Sequence, residues 1–302
     1  MRRLVLPALP VAVRLKIRYA IHHKQGVGMA KKSARRAQQP SLTAQELFDR
    51  ARQSIQENKL RQALNDLNKA IRLNPHFIDA LNQRGMIYLV QDDLERAFED
   101  FDDAVHLDPD HVMSRNNRGI VLMRLEDYKG ALDDFDKAVR LDNTQGELFF
   151  NRGSARAYLG DLDGALDDLS ESIRLKPDFA PAYNRRGDIH MLLGSTARAI
   201  GDFDEAIRLS PQSPAGYLSR AEARRHKGDL NGALADYDTA LSLTPEQPDI
   251  LLDRAKLLER MENYAGAVGD YRRFLAASGA RGPEALLIKR HILHLRARAY
   301  WG

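Results

Sequence analysis

Seven alanines stand 34 residues apart: Ala63, Ala97, Ala131, Ala165, Ala199, Ala233 and Ala267. A chain that repeats at that spacing without a slip is restricted to a stack of one supersecondary unit. In the same register run Leu67, Phe101, Phe135, Leu169, Phe203, Tyr237 and Tyr271. Small residues follow at Ala70, Ala104, Ala138, Ser172, Ala206 and Ala240, with Phe274 as the exception. Pro75, Pro109, Pro177, Pro211 and Pro245 close the units, and Asn143 takes the place of the third proline. The seven units run from about Ala44 to Arg281.

The spacing inside a unit gives its physics. Ala131, Phe135, Ala138 and Val139 fall at i, i+4, i+7 and i+8, one stripe of an α-helix. Upstream, Arg115, Arg118, Gly119 and Leu122 form the matching stripe of a first helix. Gly or Ala at positions 85, 119, 153, 187, 221 and 255 lets the two helices approach closely. The proline after the second helix cannot continue it and is expected to start the next one, where its missing N–H is harmless. One such hairpin buries only part of its apolar face, so stability must come from stacking on its neighbours.

Composition agrees with an elongated array. A chain of 302 residues is long for one globular core, and its apolar fraction of 43% and charged fraction of 29% suit a thin core. The absence of cysteine excludes disulfides, thiolate metal sites and a cysteine nucleophile. The net charge of +4 is unevenly distributed. Of 46 Lys/Arg and 42 Asp/Glu, ten bases fall in 1–45, and five bases and one acid in 281–302. The remaining 31 bases and 41 acids give 46–280 a net charge of −10. An acidic body argues against a groove that tracks phosphates, so no nucleic-acid partner is expected.

The 34-residue helix–turn–helix with Gly/Ala, Ala, aromatic, Ala and Pro at these positions resembles the tetratricopeptide repeat (TPR) family. The resemblance covers roughly four-fifths of the chain. It implies an all-α fold, an α-solenoid forming a right-handed superhelix of seven hairpins whose first helices line a concave groove. Ser54, Arg156, His190 and Arg224 depart from the family pattern at a position that is usually aromatic, and the last unit ends in Gly279 rather than Pro.

A second departure is systematic. Where the family usually has leucine, this chain has Arg50, Arg84, Arg118, Arg152, Arg186, Arg220 and Arg254. Sixteen residues after each stand Asp66, Asp100, Asp134, Asp168, Asp202, Asp236 and Asp270. A solvated face would vary between units, so the invariance predicts an Arg–Asp ion pair at a helix junction, within a unit or with its neighbour. The other reading is a ladder of arginines gripping an acidic ligand, although ligand specificity rarely needs one residue in every unit.

If the pairs are scaffold, function lies in positions that differ between units. The resemblance places the groove at the second, fifth, sixth and ninth residues of each first helix. By that register the candidate groove residues are Asn82, Met86, Asn116, Asn117, Ile120, Phe150, Asn151, Asn184 and Arg185, with Met113 beside them. Asparagine amides donate to and accept from a peptide backbone at once, and Met and Phe add adaptable apolar contact. Some TPR proteins similarly hold extended segments on an asparagine ladder. The alternative is that these asparagines merely suit a polar helix surface. The family's clamp for acidic C-terminal tails needs lysine at a fifth position; no unit has a basic residue there, so chaperone-tail binding is not expected.

Enzymatic chemistry finds little support. GxxxxGK[ST], GxSxG and HExxH are all absent. Asp102/Asp103 and Asp133/Asp134 recur with the repeat and read as a solvated helix face rather than an acid–base couple. His291 and His294 stand at i, i+3 without a third ligand, a weak metal signal. The expectation is therefore no enzyme, no cofactor and no metal, with a protein or peptide in the groove as partner. Self-assembly through the ends of the array is the alternative, and RNA binding stands behind it.

The two ends differ from the array. Residues 4–13, "LVLPALPVAV", are too few to span a bilayer. The Arg-rich, acid-free start resembles an organellar presequence, yet "MAKKSARRAQQPS" from Met29 reads as an ordinary N-terminus. The expectation is a disordered basic extension over 1–41 and a cytoplasmic protein, with organellar targeting as the alternative. Ser41 or Thr43 caps the first helix, with Glu46 completing a capping box after Thr43. The array then spans 42–281. Residues 282–302 form a capping helix that opens at Pro283, with Leu287, Ile288, His291, Ile292 and Leu295 as its apolar face. The same basic, amphipathic stretch suits a membrane surface or a partner helix.

Overall fold

The computed structural model describes residues 42–301. The expected extension over 1–41, and Ser41 with it, lies outside the described residues. Those described form fifteen α-helices and no strand. They pair as hairpins: α1 (Ala44–Gln56) with α2 (Leu60–Leu73), α3 (Ile78–Val90) with α4 (Leu94–Leu107), and α5 (Val112–Arg124) with α6 (Tyr128–Leu141). After α7 (Gly146–Tyr158) and α8 (Leu162–Leu175), the series continues with α9 (Ala180–Leu192) and α10 (Thr196–Leu209). Then come α11 (Pro214–Lys227) with α12 (Leu230–Leu243), α13 (Pro248–Arg260) with α14 (Tyr264–Ala277), and a lone α15 (Pro283–Trp301).

The described residues divide into two compact units, the first ending at Gly164 and the second beginning at Ala165. In the first, α1 starts at a capping box: the Thr43 hydroxyl accepts from the Glu46 N–H, and the Glu46 carboxylate accepts from the Thr43 N–H at 2.8 Å. Each second helix lays its alanine–aromatic stripe against two first helices. Ala97, Phe101, Ala131 and Phe135 lie in one core with Val121, Leu122 and Ala155. The repeated glycine is needed for this approach. A Cβ on Gly85 would stand 2.7 Å from the Phe101 ring, and one on Gly119 2.6 Å from the Phe135 ring.

The second unit repeats the scheme. A Cβ on Gly187 would meet Phe203 at 2.5 Å, whereas Ala221 and Ala255 stand in the cores that hold Tyr237 and Tyr271. Helix α15 covers the end of this unit: Ile292 and Leu295 are buried with Ala255, Leu258, Val268 and Tyr271, and Ile288 packs against them. Leu287, expected on the same face, is instead 63% exposed, as are Leu286 at 59% and Leu293 at 63%. The packed stripe runs through Ala285, Ile292 and Leu295 with half-buried Ile288, and Leu287 falls about a quarter of a turn beyond its edge.

Two turn types differ from expectation or escaped it. Pro75, Pro109, Pro177, Pro211 and Pro245 sit in the turn between hairpins and do not start the next helix; Pro214 and Pro248 take that first helical position. Within each hairpin, the turn holds a left-handed residue at the repeat spacing: Asn58, Asp92, Glu126, Gly160, Gly194, Gly228 and Glu262. Glycine adopts this conformation freely, while the four longer side chains are strained there.

Candidate peptide-binding face

The invariant arginines lie on the first helices and meet the aspartates of the second helices in a two-pronged grip. Arg50–Asp66, Arg84–Asp100 and Arg118–Asp134 have Nη2–Oδ1 distances of 2.6, 2.5 and 2.6 Å. In the second unit Arg186–Asp202, Arg220–Asp236 and Arg254–Asp270 measure 2.7, 2.6 and 2.7 Å. In all six, Nε donates to the other carboxylate oxygen at 2.7–3.0 Å. Arg152 belongs to the first unit and Asp168 to the second.

From Arg84 onward, the third nitrogen of each arginine reaches backward. Nη1 of Arg84 donates to Asn68 at 2.6 Å, of Arg118 to Asp102 at 2.6 Å, and of Arg152 to Asp136 at 3.2 Å. In the second unit Arg186 meets Ser170 at 3.3 Å, Arg220 meets Asp204 at 2.6 Å, and Arg254 meets Asp238 at 2.6 Å. One guanidinium thus ties its own hairpin to the preceding one. The planar five-donor fork suits this double role, which a lysine could not fill. Asp102 and Asp134 are accordingly buried and paired, not the solvated residues expected; Asp103 is half-buried and Asp133 does face solvent. Asp134 also receives Arg115 at 3.2 Å.

Burial sets the electrostatics of the ladder. Its aspartates are 1–7% exposed. The Asp100 carboxyl is pushed up to about 6 by burial, against the pull of its hydrogen bond and charge partner Arg84. Burial is the largest single influence on Arg84 and Arg118 and pulls them down, but the hydrogen bonds and charges of their carboxylate partners together hold both above the ordinary arginine value.

On the same first helices, the asparagines are largely spent on one another. Asn82 donates to the Ser114 hydroxyl at 2.7 Å, Asn151 donates to Asn116 at 2.7 Å, and Asn117 approaches Asn82 at 3.5 Å. Asn116 and Asn117 are 7% and 6% exposed. Sequence reasoning placed these amides toward a ligand, whereas their donors run sideways between successive first helices. What this surface offers to solvent in the first unit is Met86 and Met113, both exposed, with Ile120, Phe150 and Asn151 half-buried beside them.

The corresponding surface of the second unit is charged. Asn184 and Arg185 are half-buried, and burial pushes Asp188 up while Arg185 and a hydrogen bond from Ser219 oppose the shift. Further along stand Glu222, Asp253 and Lys256. Beyond them His291 of α15 meets both Glu259 oxygens at 2.9 Å, and the Tyr271 hydroxyl donates to Glu259. His291 is therefore a fastener between α15 and α13, and His294 is exposed. Among the described residues no three His, Asp or Glu are grouped to hold a metal ion.

Three sequence models of the tetratricopeptide repeat match residues 48–112 and 150–214, residues 84–148, and residues 221–262. The chain belongs to the tetratricopeptide repeat family. No curated protein matches this TPR chain significantly in sequence. Among solved structures, a tetratricopeptide repeat protein from Parabacteroides merdae is similar at 18% identity and a TM-score of 0.64, covering 84% of this chain and 98% of that one. PilW, a type IV pilus biogenesis factor, is similar at 23% identity and a TM-score of 0.63, over 68% of this chain and 94% of that one. A chain of the APC/C hetero-tetramer Cut9–Hcn1 is similar at 18% identity and a TM-score of 0.67, over 82% of this chain and 48% of that one. These likenesses establish the TPR fold. No described helix is long and apolar enough to cross a membrane.

Proposed function

We propose that the protein is a non-catalytic interaction scaffold that holds an extended peptide or protein segment on the surface of its first helices. The observation that carries this reading is the exposure of Met86 and Met113 on a surface that no second helix covers. Methionine adapts to varied apolar side chains, and a flexible thioether surface is a recurrent device of peptide binders. The buried amides hold neighbouring first helices at fixed spacing, and Asn151 with Phe150 borders the apolar strip.

Peptides selected from a random library against the full chain test the reading. The selected sequences should carry apolar anchors and lose about tenfold or more in affinity to a Met86→Ser/Met113→Ser protein of unchanged stability. Equal affinity for both proteins would remove the first-helix surface as the site. Asn117→Ala should instead lower stability and leave the selected sequences unchanged.

Self-association through the end of the array is a second reading, favoured by the exposed Leu286, Leu287 and Leu293 of α15. Light scattering over a concentration series distinguishes it: a constant monomer mass would exclude it.

A further inference from the structure

Between α11 and α13 in the second unit lies a cavity of about 340 Å³ with Tyr237 of α12 among its lining residues. Glu222, Arg225, Asp253, Lys256 and Arg260 also line it. Which ligand it suits follows from an inventory of donors and acceptors already in use. The Glu222 carboxylate accepts from Arg225 Nε at 2.9 Å and from Arg225 Nη2, and meets His226 Nε2 at 3.1 Å. Asp253 accepts from Lys256 at 3.2 Å. Both acids thus have cationic partners.

The unspent groups are donors. Arg260 is exposed and makes no hydrogen bond or ion pair among the described residues, leaving its guanidinium N–H groups open. Lys256 uses one of three N–H bonds. The Tyr237 phenol, on a residue only 4% exposed, has no hydrogen-bond partner among the described residues. The ring is buried while the hydroxyl opens onto the cavity, so an incoming acceptor can take its proton without any side chain having to move. Burial, with Asp253 and Glu222 nearby, pushes this phenol up to about 12, so it stays protonated and able to donate.

We propose that this cavity is a recognition pocket for a carboxylate side chain of a bound peptide, held by the Tyr237 hydroxyl and Arg260 with Lys256 beside them. The pocket rests on the first-helix surface being the binding face, and names an acidic residue in the partner. A carboxylate fits better than a phosphate because Glu222 and Asp253 repel a dianion more strongly than a monoanion. The acidic balance of residues 46–280 does not forbid it, since at physiological ionic strength charges beyond about 8 Å are largely screened.

The test uses the full chain and three blocked pentapeptides, acetyl-Gly-Leu-X-Leu-Gly-amide, with X as Glu, Gln or phosphoserine. The Glu peptide should bind about tenfold more tightly than the Gln peptide, and more tightly than the phosphoserine peptide. Tyr237→Phe deletes only the hydroxyl, and Arg260→Gln changes an exposed side chain. Each should reduce the Glu-over-Gln preference by at least half while the melting temperature stays unchanged. Equal binding of Glu and Gln peptides, no binding of either, or a preference untouched by both substitutions would overturn the pocket. A preference for phosphoserine would overturn the choice of carboxylate. The Met86→Ser/Met113→Ser protein separates the two readings: it keeps the Glu-over-Gln preference if the pocket is right and the apolar strip is not.

Discussion

At the scale of single residues, the arginine that replaces the family's leucine carries most of what is distinctive. Arg118 bonds Asp134 twice and Asp102 once, with both aspartates buried and Arg118 half-buried. Removing one member strands a charge, so Asp134→Ala should cost about 3–5 kcal/mol in urea melts. Replacing Arg118→Leu and Asp134→Leu together with Asp102→Asn should cost less, because no buried carboxylate is then left without its arginine. A single variant as stable as wild type would falsify the buried-pair argument. Asp100 adds a pH test. Its carboxyl, at about 6 against an ordinary 3.8, binds its proton more readily in the folded chain. Its contribution to stability is therefore complete below about 4 and is lost as pH rises through 6. Compared with Asp100→Asn, wild type should gain stability as pH falls from 7 to 4; a constant difference over that range would contradict the assignment.

At the scale of helices and hairpins, the backward reach of each arginine couples neighbours that otherwise share only apolar contact. The weakest such contact is Arg186 to the Ser170 hydroxyl, at 3.3 Å. Ser170→Asp places a carboxylate where four other units already have one, apart from Asn68, and should stabilise by up to about 1 kcal/mol. A denaturation midpoint that does not rise would show that this link is not limiting. The hairpins, their order and the Arg–Asp offset of sixteen were all legible, because a period of 34 and a helical stripe follow from spacing alone. The second acceptor, two residues after each of the first six aspartates, was not, although Asn68, Asp102, Asp136, Ser170, Asp204 and Asp238 stand in plain sequence. Its chemistry changes from amide to carboxylate to hydroxyl, and that variety looks like solvent exposure. The inward turn of Asn116 and Asn117 was also hidden, since periodicity locates a helix face but not which neighbour covers it.

At the scale of the whole molecule, the end of the array is closed by α15, whose Ile292 and Leu295 cover Leu258, Val268 and Tyr271. Deleting 283–302 should uncover that apolar surface, leave Glu259 without His291, and lower the melting temperature by several degrees with a rise in dye binding to exposed apolar surface. A truncated chain that melts with wild type would mean α15 serves a partner rather than the core. The arginine ladder has one more consequence, for how such a chain can lengthen. Each of the first six 34-residue modules brings an arginine, the acceptor for its own hairpin and the acceptor for the next module's arginine; the last has Arg272 at that second place. A tandem duplication of residues 110–143 therefore arrives with every guanidinium supplied on both sides, whereas an insertion of half a module leaves one charge stranded. Growth in whole modules costs this molecule no new pairing, and its ion pairs act as a reading frame for the fold.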